Sequence, residues 1–248
     1  MALNLNDTIQ QYKAFPEQGT DRLITQMPLL IADGRLPIST SELMQRRLEV
    51  LAEGVSDEVR NNWWNIWVFT GDLAAYDSTD RFKVVLDFPL IRDLNPYTPC
   101  YHGAIQFGKT SEDATLVYEG LPGREFSRRD LEGRLNRSQS REEAKADQVW
   151  LGLARGDQSL LNNYVDAVFD QLKQKYSRTK GMGLWVSTPK IASGRPWVVD
   201  HLLSNSGAGG TGYADGNYGL LVGVAQSSEA TCAMSSSLCA GVQYAKKS

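Results

Sequence analysis

Hydrophobic residues recur at every third or fourth position in the first quarter of the chain, which is typical of amphipathic helices. Ser39-Thr-Ser-Glu42 has the spacing of a capping box, and Gly54 is placed to end the helix that follows. A second helix is expected to start at Ser56 and end at Gly71. Its large apolar side chains share one face, namely Val59, Trp63, Ile66 and Trp67. The pattern therefore predicts a helical N-terminal region.

The pattern changes to a period of two in the middle of the chain, which indicates half-buried strands. In residues 82–88, apolar residues alternate with polar ones, with an exception at Val85. Further short apolar segments predict strands at 102–107, 115–118, 183–187, 196–200 and 219–224. The first three strands are too close together in sequence for parallel crossover connections. We therefore expect a mainly antiparallel sheet.

A helical hairpin is predicted between the middle and late strands, over about residues 140–176. Ser140 and Glu143 have the spacing of a second capping box, and Gly156-Asp157 separates this helix from a longer one with a wide apolar stripe. Ser127-Arg-Arg-Asp130 predicts a further short helix before the hairpin. The whole pattern favours an α+β fold in which the hairpin packs on one face of the sheet.

Length and composition favour a single domain over residues 1–248, with a soft boundary near Gly71 between a helical part and an α+β part. Hydrophobic residues make up 42% of the chain and charged residues 22%, which is typical of a globular protein. The net charge of −3 gives no electrostatic reason to expect binding to nucleic acid or to an anionic membrane. No apolar run reaches the ~20 residues of a membrane span, and the N-terminus lacks the pattern of a secretion signal. We therefore expect a soluble, cytoplasmic protein.

Glycines are concentrated between residues 204 and 219, where the letters G-x-G-x-x-G of a dinucleotide-binding motif occur. That motif needs a helix to begin within it, because the helix N-terminus holds the pyrophosphate. Here turn-forming residues and a predicted strand follow instead. A plain connection between two strands is the simplest interpretation, and a flexible loop that covers a binding site is the functional one. The candidate binding residues of this loop are Gly207, Gly209, Gly210, Gly212 and Tyr213.

The candidate catalytic residues are Cys100, His102, Asp200 and His201, and they include both histidines of the chain. A cysteine thiolate with a histidine base, oriented by an aspartate, can perform acyl transfer or hydrolysis. Nothing in the sequence brings the two pairs together, so packing roles are the alternative. The serine-hydrolase motif G-x-S-x-G does not occur. The three cysteines lack C-x-x-C spacing and the histidines lack the spacing of metal ligands, so neither a metal nor a cofactor is predicted.

A tryptophan and an arginine-rich segment are candidates for contact with a partner. Trp64 is turned by about 100° from the ridge that Trp63 and Trp67 would form on a helix. We therefore expect Trp64 to be exposed and to anchor a protein partner. Arg128 and Arg129 belong to an arginine-rich segment that could contact RNA, DNA or an acidic partner, and the acidic net charge of the chain disfavours nucleic acid. A solvated helix face is the alternative for these arginines.

Two classes of function remain open. The first is a non-enzymatic interaction or structural protein, which acts through contacts with an unidentified protein or with further copies of itself. The second is an enzyme of the hydrolase or acyl-transfer type, with its Cys/His/Asp site beneath the glycine-rich loop. We favour the first class, because the second rests on residue types without a known geometry.

Overall fold

The computed structural model describes residues 3–6, 11–15, 22–52, 54–202, 206–216 and 219–226. The helices within these ranges are α1 (Leu23–Ala32), α2 (Thr40–Ala52), α3 (Asp57–Trp64), α4 (Pro89–Arg92), α5 (Ser111–Gly120), α6 (Arg141–Lys145), α7 (Gln148–Leu153) and α8 (Gln158–Tyr176). The strands are β1 (Tyr12–Phe15), β2 (Arg35–Pro37), β3 (Val68–Tyr76), β4 (Arg81–Val85), β5 (Cys100–Tyr101), β6 (Ala104–Gln106), β7 (Arg124–Ser127), β8 (Arg137–Gln139), β9 (Gly181–Trp185), β10 (Ser193–Val199), β11 (Ala208–Gly209) and β12 (Leu220–Ala225).

One mostly antiparallel sheet forms the centre of the molecule. Its main path runs in the order β1-β12-β3-β10-β11-β9-β8, and the described residues contribute 12 strands to it. Strand β12 runs parallel to β3, and β11 runs parallel to β9. The remaining strand pairs of the described ranges are antiparallel. The predicted α+β class with a mainly antiparallel sheet is therefore confirmed.

Helices cover both faces of the central strands, which explains why β3 and β10 are buried along their whole length. Alternate residues of β3 enter two separate apolar cores, because successive side chains of a strand point to opposite faces. Val68 and Ala74 join the core that contains residues of α2, α3, α7 and α8. Phe69 and Leu73 join the core that contains residues of α1, α4 and α5. The hairpin lies on one face, as predicted, but its first helix is divided into α6 and α7, because Asp147 caps a new helix start. The N-terminal helices are divided between the two faces.

Side-chain caps begin several helices where the sequence predicts them. Ser39 Oγ accepts a hydrogen bond from the Glu42 amide at 3.2 Å, and Glu42 Oε2 accepts one from the Ser39 amide at 2.8 Å. Ser140 and Glu143 form the same reciprocal pair before α6. Asp157 Oδ1 accepts from an amide of the first turn of α8 at 2.9 Å. These bonds satisfy amides that a helix leaves unpaired at its start.

The second predicted helix is shorter than its apolar pattern suggests. It begins after the cap Ser56 but ends at Trp64, and β3 starts at Val68. Gly71, the expected end of the helix, lies within β3, where its amide donates to the Ile38 carbonyl at 2.8 Å. Pairing of β3 with β10 and β4 supplies backbone hydrogen bonds that compete with continuation of the helix.

Two segments adopt the opposite type of structure from the predicted one. Residues 115–118 belong to α5 rather than to a strand, because Thr110 caps that helix by accepting from the Asp113 amide at 3.1 Å. The helix predicted after Ser127 is replaced by β7, which pairs with β4, and by turns over residues 128–134. The Ser127 hydroxyl donates to Asp80 at 2.5 Å, and this contact between distant segments is not visible in a local pattern.

Candidate functional site

A tight hairpin between β5 and β6 forms one wall of the candidate site. Tyr101 pairs with Ala104, which leaves His102 and Gly103 as a two-residue turn. Their φ angles of 48° and 79° are both positive, as a type I′ turn requires. Histidine is among the non-glycine residues that tolerate this conformation. Position 103 requires glycine for a further reason, since a Cβ atom there would lie 1.9 Å from Cδ1 of Tyr213.

Arg195 joins this hairpin to β10 and to the glycine-rich segment. Its guanidinium donates hydrogen bonds to the carbonyls of His102 at 2.7 Å, Gly212 at 3.3 Å and Thr211 at 3.4 Å. It also lies 4.9 Å from the centre of the Tyr213 ring, which is within cation–π distance. Within the described part of the chain, no carboxylate forms an ion pair with it. Arg195 is only 9% exposed, so a buried positive charge is held by carbonyl dipoles and an aromatic ring.

A pocket of about 530 Å³ opens between the hairpin and the segment that leads into β10. Residues 101–109 supply one side and residues 189–195 supply the other. The charged residues among its lining are all basic, and they are Lys109, Lys190 and Arg195. Tyr101 and Ile191 are 63% and 49% exposed, respectively, and add aromatic and apolar surface to the lining. Apolar walls with a few polar groups are typical of ligand sites in proteins.

Two residues of the pocket lining each have a buried polar atom that lacks a hydrogen-bond partner among the described residues. These atoms are Oγ of Ser193 and Nε of Arg195. Ser193 is 6% exposed, and it lies two positions from Arg195 on β10, so both residues lie on the same side of the strand. Buried polar atoms are normally paired, so unpaired atoms on residues that line a pocket are candidates for contact with a ligand.

The predicted catalytic residues are distributed between the two ends of β10. Cys100 and His102 belong to the β5–β6 hairpin, and β6 pairs with β10 at Ser193, the first residue of that strand. Asp200 and His201 directly follow its last residue, Val199. Six residue steps of an extended strand separate these ends, which is about 20 Å. The structure therefore places His102 in the lining of the pocket and Cys100 in the same hairpin but outside that lining. Asp200 and His201 lie at the opposite end of the strand.

Asp200 and His201 have neighbours of their own at that end. The Asp200 carbonyl accepts a hydrogen bond from Arg47 at 3.1 Å, and the His201 ring lies 5.2 Å from the ring of Trp67. Burial raises the pKa of the Asp200 carboxyl to about 6, although the positive charge of Arg47 opposes this shift.

The chemical environment of Cys100 does not favour a nucleophile. Burial raises the pKa of its thiol to about 11, the negative charge of Asp215 adds to this effect, and Arg195 opposes it. The thiol is therefore protonated at neutral pH, whereas reactive cysteines require a lowered pKa. The described residues also contain no cluster of side chains that is suited to hold a metal ion.

The described part of the glycine-rich segment packs into the sheet. Ala208–Gly209 forms β11, which pairs with β10 on one side and β9 on the other. A Cβ atom on Gly207 would lie 2.0 Å from the Trp185 ring, and one on Gly210 would lie 2.5 Å from the Tyr76 hydroxyl. The glycines thus allow backbone to approach aromatic side chains closely, and only part of the segment is a loop. Residues 204, 205, 217 and 218 lie outside the described ranges.

The expected exposure of Trp64 is wrong. Trp64 is 1% exposed, its ring stacks on that of Tyr164 at 6.1 Å, and the Arg47 guanidinium lies 5.5 Å from it. The last turn of α3 is covered by α8 on the side that the helical pattern leaves polar. Arg128 donates to the carbonyls of Thr79 and Ser187. Arg129 is exposed at the surface.

Of the residues that line the pocket, His102 was predicted from the sequence as a site residue, whereas the polar lining residues Ser193, Arg195, Tyr101, Lys109 and Lys190 were not. A signal for Ser193 and Arg195 was present, because they are polar residues two positions apart at the start of an apolar strand. That spacing places both side chains on one face. The contributions of the hairpin and of Lys109 depend on strand pairing, which no local pattern contains.

Comparison with known proteins identifies the fold. No protein-family model and no curated protein sequence matches the chain. A solved structure described as "Accommodation of massive sequence variation in Nanoarchaeota by the C-type lectin fold" is similar, with a TM-score of 0.58 and 19% sequence identity. The similarity covers 90% of this chain and 99% of that chain. At this level of identity the likeness shows the fold alone, which is the C-type lectin fold.

Proposed function

We propose that the protein is a non-enzymatic binding module that holds a partner protein against the pocket between residues 101–109 and 189–195. The observation that supports this most directly is a pair of buried, unpartnered atoms on two residues of the pocket lining, Ser193 Oγ and Arg195 Nε. Next to them, Tyr101 and Ile191 offer exposed aromatic and apolar surface. Exposed aromatic side chains beside a desolvated polar group are typical of the centre of protein interfaces.

The fold supports a binding role in a general way. The solved structure that shares this fold is described as accommodating massive sequence variation. In the present chain the central strands β3 and β10 are buried between two apolar cores, whereas the pocket is built from a hairpin and strand-end segments. We propose that a rigid core of this kind presents the pocket segments to a partner.

The glycine-rich segment has an indirect part in this proposal. Tyr213 contacts Arg195 and leaves room only for glycine at position 103, so it holds the turn at His102 in place. We propose that the described part of the segment holds the β5–β6 hairpin in position at the pocket.

No helix of the described residues is both long and apolar enough to cross a membrane.

The test is a selection of binding peptides from a random phage-displayed library on the purified protein, followed by fluorescence anisotropy with the recovered peptides. We expect Tyr101→Ala and Ile191→Ala each to weaken binding by about tenfold, since exposed anchor residues contribute on the order of 1–2 kcal/mol. Leu29→Ala is the matched control, because Leu29 is a similarly exposed apolar residue, at 55%, on α1. Peptides that bind all these variants as tightly as the original protein would refute the proposed surface.

Light scattering separates a foreign partner from self-association. We expect a monomer across the micromolar range. A dimer that Tyr101→Ala or Ile191→Ala dissociates would show instead that the surface binds a second copy of the chain.

A further inference from the structure

We infer that the pocket recognises a carboxylate of an acidic peptide segment, with Ser193 and Arg195 as the hydrogen-bond donors. This inference rests on the proposed binding function and adds the chemical class of the ligand. The carboxylate has two sources in a protein partner, which are an Asp or Glu side chain and a free C-terminus.

The two unpartnered atoms can both donate a hydrogen bond. Arg195 Nε bears an N–H and can only donate, and the Ser193 hydroxyl is free to donate because its oxygen has no described partner. Both residues line the same pocket, and the two atoms are buried beneath its surface. A group that satisfies both must therefore be an acceptor, and a carboxylate has two oxygens that can each accept.

The positive charge of Arg195 also favours a carboxylate as the ligand. The Arg195 guanidinium is buried, and its described hydrogen-bond partners are carbonyl oxygens. Neutral carbonyls offset only part of the cost of burying a positive charge, and a negative ligand would offset the rest. A neutral acceptor would complete the hydrogen bonds without this compensation. The charge of Arg195 therefore favours an anion.

The residues that line the pocket include basic and apolar side chains rather than acidic ones. Lys109 and Lys190 are exposed, and the described residues form no ion pair with either of them. The lining contains no Asp or Glu among the described residues. The exposed Ile191 adds apolar surface to the lining, which favours a carboxylate with an apolar neighbour in a peptide over a free small anion.

The experiment uses two random-peptide libraries on the full chain, one displayed with blocked C-termini and one with free C-termini. We expect selected peptides to be enriched in Asp or Glu from the first library, in a hydrophobic residue at the free C-terminus from the second, or in both. Synthetic copies are then measured with each carboxylate replaced by its amide, as Gln, Asn or a C-terminal amide. Loss of the responsible carboxylate is expected to weaken binding by at least about tenfold, as a charge-assisted hydrogen bond predicts.

The protein variants are Ser193→Ala and Arg195→Gln, with Lys173→Ala as control. Lys173 is an exposed lysine on α8, so its removal changes the net charge without changing the pocket. We expect Ser193→Ala to weaken the binding of the acidic peptides about fivefold and to change the binding of their amides very little. Arg195 also holds the His102 turn, so circular dichroism must show that Arg195→Gln is folded. Ser193→Ala tests the inference by itself if Arg195→Gln is not.

The outcomes separate the two proposals. Peptides that depend on Tyr101 and Ile191, but bind equally as acids and as amides, would overturn the carboxylate inference and leave the binding module intact. Peptides whose binding is not weakened by any pocket variant would overturn both the binding module and the carboxylate inference. Equal weakening by Lys173→Ala and by the pocket variants would show long-range electrostatic attraction only, and would also overturn the carboxylate site.

Discussion

The ring of Tyr213 packs so closely against Gly103 that a Cβ atom at position 103 would lie 1.9 Å from Cδ1 of the ring. This contact joins the described end of the glycine-rich segment to the β5–β6 hairpin and fixes one wall of the pocket. Gly103 also has a φ angle of 79°. Position 103 is therefore restricted twice, by conformation and by space.

Gly103→Ala is expected to destabilise the protein by about 3 kcal/mol, of which roughly 1 kcal/mol is the cost of a positive φ. Gly133→Ala is the matched control, since Gly133 has a φ angle of 78° and a Cβ atom added there would meet no described atom within 4 Å. It should cost only about 1 kcal/mol. Urea denaturation measures both. Equal costs for the two substitutions would show that the Tyr213 contact contributes nothing.

Arg47→Met is expected to lower the free energy of unfolding by about 4 kcal/mol. Arg47 is fully buried and donates hydrogen bonds to several carbonyl oxygens. Among these are the carbonyls of Trp63 at 2.9 Å and Ile66 at 3.1 Å, which methionine would leave without a donor. Arg46→Met is the control, since Arg46 forms a helical ion pair with Glu49 and should cost about 1 kcal/mol or less. Thermal and urea unfolding provide the comparison, and similar losses for both arginines would contradict the prediction.

The stability of the protein should depend on the ionisation of Asp200. Burial raises the pKa of its carboxyl from the ordinary value of 3.8 to about 6. The folded state therefore holds this proton more tightly than the unfolded state does, and the free energy of unfolding falls as pH rises from about 4 to about 6. Asp200→Asn removes the effect and should be about 2 kcal/mol more stable than the original protein at pH 7. The difference between the two unfolding free energies is measured from pH 4 to 8, and a difference independent of pH would refute the assignment.

Cys100 should react slowly with iodoacetamide in the folded protein. A thiol with a pKa of about 11 has few thiolates at pH 7.5. We expect alkylation at least about a hundredfold slower than in the unfolded chain. Mass spectrometry of the peptide that contains Cys100 follows this position separately. Rapid modification of the native thiol would revive the hypothesis of a nucleophilic cysteine.

Several elements could be predicted from the sequence because their causes are local. The capping boxes at Ser39 and Ser140 and the cap at Asp157 involve residues three positions apart, and the structure forms all of these bonds. Helical periodicity also predicts the long helix that became α8. Where a distant strand offered an alternative partner, local patterns failed, as at β3 and β7.

The candidate site shows the same division. Cys100 and His102 are two residues apart in the sequence and belong to one hairpin, and of the two His102 lines the pocket. The separation of this pair from Asp200 and His201 follows from the register of β10 against β6 and β3, which pairs Ser193 with Gln106 and Val199 with Val68. Trp64 is buried because α8 packs over it, and no property of α3 alone reveals that neighbour.

The sequence by itself determined the α+β class, the helix starts and the ordinary charge balance, since short-range hydrogen bonds and hydrophobic periodicity are written into neighbouring residues. Tertiary structure alone decided that Ser193 and Arg195 lie in a pocket with polar atoms left unpartnered. It also decided that Gly207 and Gly210 lie against the aromatic side chains of Trp185 and Tyr76. Burial and pairing across 90 or more residues depend on which surfaces meet, as in the bond from Arg195 to the carbonyl of His102.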